Sequence, residues 1–302
     1  MSIDINIDQM PTVGSEREMN ARELVKKVLS HPKTVNALSK LPGLVLIKDD
    51  ENNETQSRNF GKVDKKTLSL NISSIFGVQI KMADAAVKTA NTEGRTDLYV
   101  TNADALSNEK EVYKRLGSIA GLPKLYELGK GNEVWMEWLE GKRLDEKYRE
   151  GGISFDRLKE FLQFASSIAI EIKGKGIVMA GIEPHNIMEH KGRFSSFDHG
   201  FDYVVDKPLK FFRDIDLKPR DAERQSTMVT LDTAAALVIG VYEYNKKRID
   251  YLEDKDAWGK WVSEEMQRRL DGKGEKLAQL CGDVVSQNKT INFEELHELA
   301  NS

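Results

Sequence analysis

The sequence predicts an α+β chain, and three observations carry that prediction. Short apolar and β-branched runs separated by polar insertions fill its first half. From residue 154 onward, apolar residues recur every three to four places, the period of a buried helix face. Finally, 302 residues that are 39% hydrophobic and 31% charged suffice to bury one large core or two smaller ones.

The net charge of −4 is small for this length, so bulk charge points to neither a nucleic-acid surface nor an anionic membrane. No apolar run approaches the ~18 residues that cross a bilayer. The N-terminus lacks a basic start followed by an apolar core. The expectation is a protein of the cytoplasm, or one secreted into a host cytosol without a cleaved signal peptide. The single cysteine, Cys281, lies at helical spacing with Leu277, Leu280, Val284 and Val285, which predicts a buried thiol. The sequence holds no Cys/His metal cluster.

Taken in order, residues 1–15 are polar and aperiodic and read as a mobile tail. Met19, Leu24, Val25, Val28 and Leu29 predict a helix over 16–30 that Pro32 stops, and a short helix follows over 33–41. Apolar runs at 44–47 and 68–72 predict strands, and the polar stretch 49–66 between them reads as a flexible insertion. After another apolar piece at 98–100, a helix is expected from Ser107, with Glu109 in its first turn and Val112, Leu116 and Ile119 on its buried face. Segments 122–128 and 133–139 predict a hairpin turning at 129–132. A long helix is predicted over 154–172, ended by Gly174 and Gly176. The segment 200–225 is dense in charge and poor in apolar anchors, and is expected to be mobile. An apolar helix led by Asp232 follows over 231–240. Two further helices carry Trp258, Trp261, Val262, Met266 and Leu270 and then the Cys281 stripe, and a short segment closes the chain at 293–299.

The stretch 176–200 organises the rest. Ile177 and Val178 lead into a Pro-x-Asn turn, Pro184 to Asn186; Gly192 turns a hairpin; and a second strand ends in Phe197-Asp198-His199-Gly200. This pattern brings the Asn186 amide and the Asp198 carboxylate to neighbouring loop ends, a pairing that suits a hydrated Mg²⁺ carrying nucleotide phosphates.

The stretch resembles the catalytic and Mg²⁺ loops of the protein-kinase-like superfamily, and the order of motifs along the chain extends the resemblance over residues 73–244. It implies a bilobal fold: an N-terminal tail and helices over 1–42, a small, mainly β lobe with one key helix over 43–140, and a larger helical lobe over 141–302. Ala86-Val87-Lys88 resembles the strand whose lysine reaches the α- and β-phosphates, with Lys81 as the second candidate. NEKEVYKRL resembles the helix supplying that lysine's glutamate, here Glu109, with Glu111 as alternate. By the same resemblance, residues 73–77 cover the phosphates through the one glycine kept there, Gly77. Met136 gates the adenine pocket, Glu137 to Leu139 supply its backbone contacts, and Asp145 faces the ribose. Asn186 and Asp198 become the metal ligands, and Asp232 bonds the catalytic-loop backbone.

The chain departs from the family at two positions, with Met179 in place of the loop histidine and Gly181 in place of the catalytic aspartate. Glu183, His185 and His199 are the residues nearby with the chemistry to substitute. The resemblance therefore implies a divergent kinase-like protein that binds ATP and Mg²⁺ and acts as a pseudokinase or a non-standard, protein-modifying effector. It would be similar to the kinase-like effectors that bacteria deliver into host cells, with a protein partner or substrate there. Two alternatives stand beside this reading. One is a weakly active phosphotransferase, or a nucleotidyl transferase, using Glu183 or His185; the other is a nucleotide-free scaffold.

Overall fold

The computed structural model describes residues 3–5, 27–40, 45–49, 56–58, 61–71, 78–90, 101–117, 119–128 and 133–301. The helix expected through 16–26, the loop 73–77 with Gly77, the run 98–100 and the turn 129–132 lie outside them. The chain is mixed α+β and divides into two units, one of Met1–Gly117 with Pro123–Leu139, the other of Ser118–Leu122 with Glu140–Ser302.

The first unit is built on two long antiparallel strands, β4 (Gly61–Asn71) and β5 (Val78–Ala90), with a register shift between Leu68 and Ser69. β2 (Val45–Asp49) and β3 (Gln56–Arg58) share the outer edge of β4. Much of the polar stretch 49–66, expected to be flexible, is therefore strand. Ladder hydrogen bonds need no apolar side chain, and polar cross-strand contacts help: Thr67 Oγ1 donates to Asp84 Oδ1 at 3.0 Å, and Lys65 lies 3.6 Å from the same carboxylate. On the other side of β5 lie β7 (Glu133–Glu137) and then β6 (Leu125–Tyr126). A short strand β1 (Ile3–Ile5) pairs in parallel with the start of β5, so part of the expected tail belongs to the sheet.

Helix α1 (Pro32–Ser39) starts at Pro32, which carries no donor to lose, and the His31 side chain accepts from Lys33 N at 3.2 Å. Its Val35 is buried with Leu68, Met82, Ala85, Val87, Tyr126, Leu128 and Trp135. Helix α2 (Asn102–Leu116) begins at Thr101, whose hydroxyl accepts from Asp104 N, and not at Ser107 as expected. Glu109 consequently sits in mid-helix, fully buried, instead of in an exposed first turn.

In the second unit, β8 (Lys142–Arg143) and the single turn α3 (Leu144–Lys147) precede the long helix α4 (Phe155–Lys173). Ser154 caps α4 by accepting from Arg157 N, and Leu158, Phe161, Leu162, Ala165, Ile168 and Ile172 form its buried face, as the periodicity predicts. β9 (Ile177–Val178) leads into a loop and a 3-10 turn, Pro184–Asn186. β10 (Ile187–His190) and β11 (Arg193–Ser196) form a hairpin whose two-residue turn, Lys191-Gly192, has positive φ at both positions. β12 (Tyr203–Val204) returns to pair with β9.

The charged segment expected to be mobile is anchored. Tyr203, Ala222 and Val178 are buried together with Phe212 and Leu217 against them, Tyr203 donates its hydroxyl to the Leu217 carbonyl at 3.0 Å, and α5 (Lys210–Asp214) forms within it. Helix α6 (Pro219–Ile239) begins well before residue 231, leaving Asp232 within the helix and not at its head. There Asp232 accepts from Tyr244 Oη and lies 3.1 Å from Arg248 Nη1, in α7 (Val241–Asp250). Burial raises the Asp232 carboxyl above its ordinary value, and Arg248 and Tyr244 pull the other way. α8 (Lys255–Arg269), α9 (Glu275–Val285) and α10 (Phe293–Asn301) complete the unit. Cys281 is fully buried in α9, which pushes its thiol up, and Trp258 is buried and stacked on Trp261. Among the described residues no helix is long and apolar enough to cross a membrane.

Glu189 of β10 ties this unit together near its start. Its carboxylate is 7% exposed, 2.7 Å from Lys147 Nζ and 3.0 Å from Arg157 Nη2, and the Arg157 guanidinium lies 3.7 Å from the centre of the Phe194 ring. Glu189→Ala leaves the half-buried Arg157 guanidinium with Glu160 alone and is expected to lower stability by about 1–2 kcal/mol. A urea midpoint unchanged from wild type would show that the cluster holds nothing.

Candidate functional site

In the first unit, the structure brings together two of the residues singled out from the sequence. Lys88 Nζ, on β5, lies 2.7 Å from Glu109 Oε2, on α2, with the lysine side chain 15% and the glutamate side chain 1% exposed. The alternate, Glu111, is taken by Arg115 one turn on, at 2.8 Å. Lys81, the second candidate, lies on β5 as well. Two charges this far from water hold one another in a single geometry, which keeps the ammonium aimed. Lys88→Met removes that ammonium from beside a buried carboxylate and is expected to cost about 3 kcal/mol. Adding Glu109→Leu should recover much of the loss in thermal denaturation, since a paired apolar replacement leaves no buried charge; no recovery would show that the two do not act as a pair.

Met136 is buried in β7. The Glu137 amide donates to the Lys124 carbonyl at 2.8 Å and the Trp138 amide to the Asp84 carbonyl at 3.1 Å. Two of the backbone donors expected for a ligand at 137–139 are therefore already bonded within the sheet, and Leu139 is the first residue beyond them.

The second unit holds the remaining candidates. Asn186 ends the 3-10 turn, and its carbonyl accepts from Phe197 N at 3.0 Å, extending the hairpin pairing by one step beyond Ile187↔Ser196. Asn186 thus faces Phe197 across the hairpin, and Asp198 is the next residue, so positions 186 and 198 stand at one open end of one hairpin. Asn186 Oδ1 is buried and makes no hydrogen bond. Leaving such an oxygen dry and unbonded costs about 1–3 kcal/mol, so an ordered water or a bound ion is expected to satisfy it. Asp198 has φ +66°, a left-handed backbone that a non-glycine residue adopts at some cost and keeps where its surroundings impose it.

Among the described residues no group of three or more His, Cys, Asp or Glu side chains is placed to hold a metal. Asn186 and Asp198 would offer an amide oxygen and one carboxylate to a hard divalent ion, which completes its shell with water and phosphate.

The loop leading to Asn186 is fixed at successive residues. Asp202 Oδ1 accepts from Ala180 N at 2.8 Å, Thr233 Oγ1 of α6 donates to the Ile182 carbonyl at 2.6 Å, and Met179 is buried. Between them Gly181 has φ +133°, and a Cβ added there would lie 2.8 Å from Cβ and from Cγ1 of Val229. The loop is therefore packed onto α6 in a form that admits no side chain at this position. Thr233 makes the bond to this loop that was expected of its neighbour Asp232.

Glu183 and His185 are both exposed, with His185 Nε2 3.1 Å from Glu183 Oε2. His199 is buried and bonded through Nδ1 to Asp202 Oδ2 at 2.8 Å. Asp145 is paired to Arg143 Nε at 3.0 Å. Sequence reasoning missed Asp202, Val229 and Thr233. Only Asp202 left a trace, a carboxylate three residues past His199 in the same short loop.

A scan against protein-family models finds no match to this chain, and a search of the curated proteins finds no significant match.

Proposed function

We propose that this chain is a divergent protein-kinase-like protein that binds ATP with Mg²⁺ and acts as a pseudokinase. The observation that carries the reading is the buried, unbonded Asn186 Oδ1 next to Asp198 at one hairpin end. These two residues would hold Mg²⁺, which when bound offsets the charge of the nucleotide's phosphates. In the other unit, Lys88, aimed by Glu109, supplies an ammonium of the kind that pairs with phosphate oxygens. Gly181 has no group to accept a proton from an attacking hydroxyl, and the loop around it has no room for one. General-base help is worth roughly 10² to 10⁴ in rate, so binding survives its loss far better than transfer does. Thermal denaturation with ATP tests the reading: Mg²⁺ with ATP should raise Tm more than ATP in EDTA, and no shift at millimolar nucleotide would leave the scaffold reading.

One observation favours a second reading, a slow phosphotransferase, because Glu183 and His185 are exposed and lie 3.1 Å apart beside Asn186. With Nε2–H donating to Glu183, the Nδ1 lone pair of His185 takes the proton of an acceptor hydroxyl, the hydroxyl oxygen bonds the γ-phosphorus, and ADP leaves. Label transferred from γ-labelled ATP by wild type and lost in Glu183→Gln and His185→Ala would establish it. Transfer of α-label instead would make the reaction nucleotidyl transfer.

A further inference from the structure

The 199–202 turn directly after Asp198 is closed twice. Asp202 N donates to the His199 carbonyl at 3.2 Å, and His199 Nδ1–H donates to Asp202 Oδ2 at 2.8 Å. Both side chains are buried, 2–3% exposed. The second oxygen of Asp202 reaches across the fold to Ala180 N at 2.8 Å, in the loop that leads to Asn186. On its other side Asp198 follows Phe197, whose amide donates to the Asn186 carbonyl. Asp198, in its left-handed conformation, is therefore held between a bond to Asn186 before it and a closed, buried turn after it. That turn is itself tied to the same loop. Packing alone would be served by an apolar residue at 199; a bonded imidazole and carboxylate fix orientation as well.

We infer that His199 and Asp202 are positioning residues that set Asp198 and Asn186 in register for a divalent ion, a role that rests on the metal–nucleotide reading above. They touch neither metal nor nucleotide. They act by joining the two loops that carry the ligands, so that a bond lost at residue 199 or 202 is felt as a loosened carboxylate at 198.

Mn²⁺ binding, read by electron paramagnetic resonance in the presence of saturating ATP, tests this, alongside ATP binding in EDTA, thermal denaturation and amide exchange at Ala180. His199→Phe keeps the volume and removes the bond; Asp202→Ala removes both bonds; Asp202→Asn keeps an acceptor for Ala180 N and can donate to the imidazole. His199→Phe and Asp202→Ala are expected to weaken Mn²⁺ binding tenfold or more, against less than about twofold for ATP in EDTA, with Asp202→Asn near wild type. Ala180 exchange should quicken in Asp202→Ala and not in Asp202→Asn.

The inference is overturned if Mn²⁺ affinity is unchanged in the two disruptive variants, or falls only in step with metal-free ATP affinity and Tm. If Asp202→Ala fails to fold, His199→Phe alone decides. Wild type that binds ATP with no dependence on Mn²⁺ would end the metal reading and this role with it. Metal dependence in wild type with unaffected variants would end this role alone.

Discussion

Gly181→Asp, which puts a carboxylate where the kinase-like reading expects a catalytic one, is expected to damage the protein and not to confer activity. The new Cβ would stand 2.8 Å from two atoms of Val229, on a backbone at φ +133°. Strain in such a conformation and overpacking against a helix each cost about 1–3 kcal/mol, so a loss of about 4 kcal/mol is expected. In a unit of this size that is a fall in Tm of roughly 10 °C. Val229→Ala in the same chain should return only part of the steric cost, because its Cβ stays 2.8 Å from the new side chain, and should leave the backbone part. Neither variant is expected to transfer γ-phosphate. A Gly181→Asp protein with wild-type Tm and new transfer activity would mean that the loop opens readily to admit the side chain, and that the glycine is a simple deletion of function.

Removing either proposed ligand is expected to weaken metal-dependent nucleotide binding on the order of 100-fold, about 2.7 kcal/mol. The two residues call for different replacements. Asn186→Ala deletes an oxygen that makes no hydrogen bond, so stability should hold or rise, by up to about 1–3 kcal/mol. Binding would thus be lost with no loss of stability, the opposite of what a packing residue gives. At residue 198 glycine is the better probe, because it removes the carboxylate while accepting φ +66° without strain. If Asn186→Ala instead unfolds at markedly lower urea while ATP affinity stays the same, its amide is structural.

The parts of the fold written as apolar period could be read from the sequence. Residues 155–173 show it, since the stripe, the Ser154 cap and the following glycines all agree. The first half of α6 was hidden for a stated reason. Its buried face is made of hydroxyls, Ser226, Thr227 and Thr230, and the two threonines bond back to carbonyls one turn earlier, Glu223 and Ser226. A hydrophobic pattern cannot register a face of that kind. The same holds for β3 and β4, where a ladder and polar cross-strand contacts organise a stretch that reads as loop. The start of α2 was displaced to Ser107 because Thr101, the actual cap, precedes a run of mostly polar residues.

Lys88 and Glu109 in one unit, and Asn186 and Asp198 in the other, stand out in the sequence as motifs, and the structure adds the surroundings of each pair. That Gly181 excludes a side chain could not be seen, because Val229 lies 48 positions away along the chain and meets it only in the fold. Asp202 was passed over because its bond to Ala180 spans 22 positions. Thr233 carries no mark in the sequence, because the resemblance points to its neighbour Asp232. In the fold that carboxylate belongs to Tyr244 and Arg248.

Isothermal calorimetry of ATP with wild type and Asn186→Ala, each in Mg²⁺ and in EDTA, bears most directly on whether the amide of residue 186 and the carboxylate of residue 198 serve a metal–nucleotide complex. The expected result is binding by wild type that is at least about tenfold tighter in Mg²⁺ than in EDTA, with that difference abolished in a fully folded Asn186→Ala. Equal affinity of the two proteins in Mg²⁺, or no heat from wild type at millimolar ATP, would contradict it.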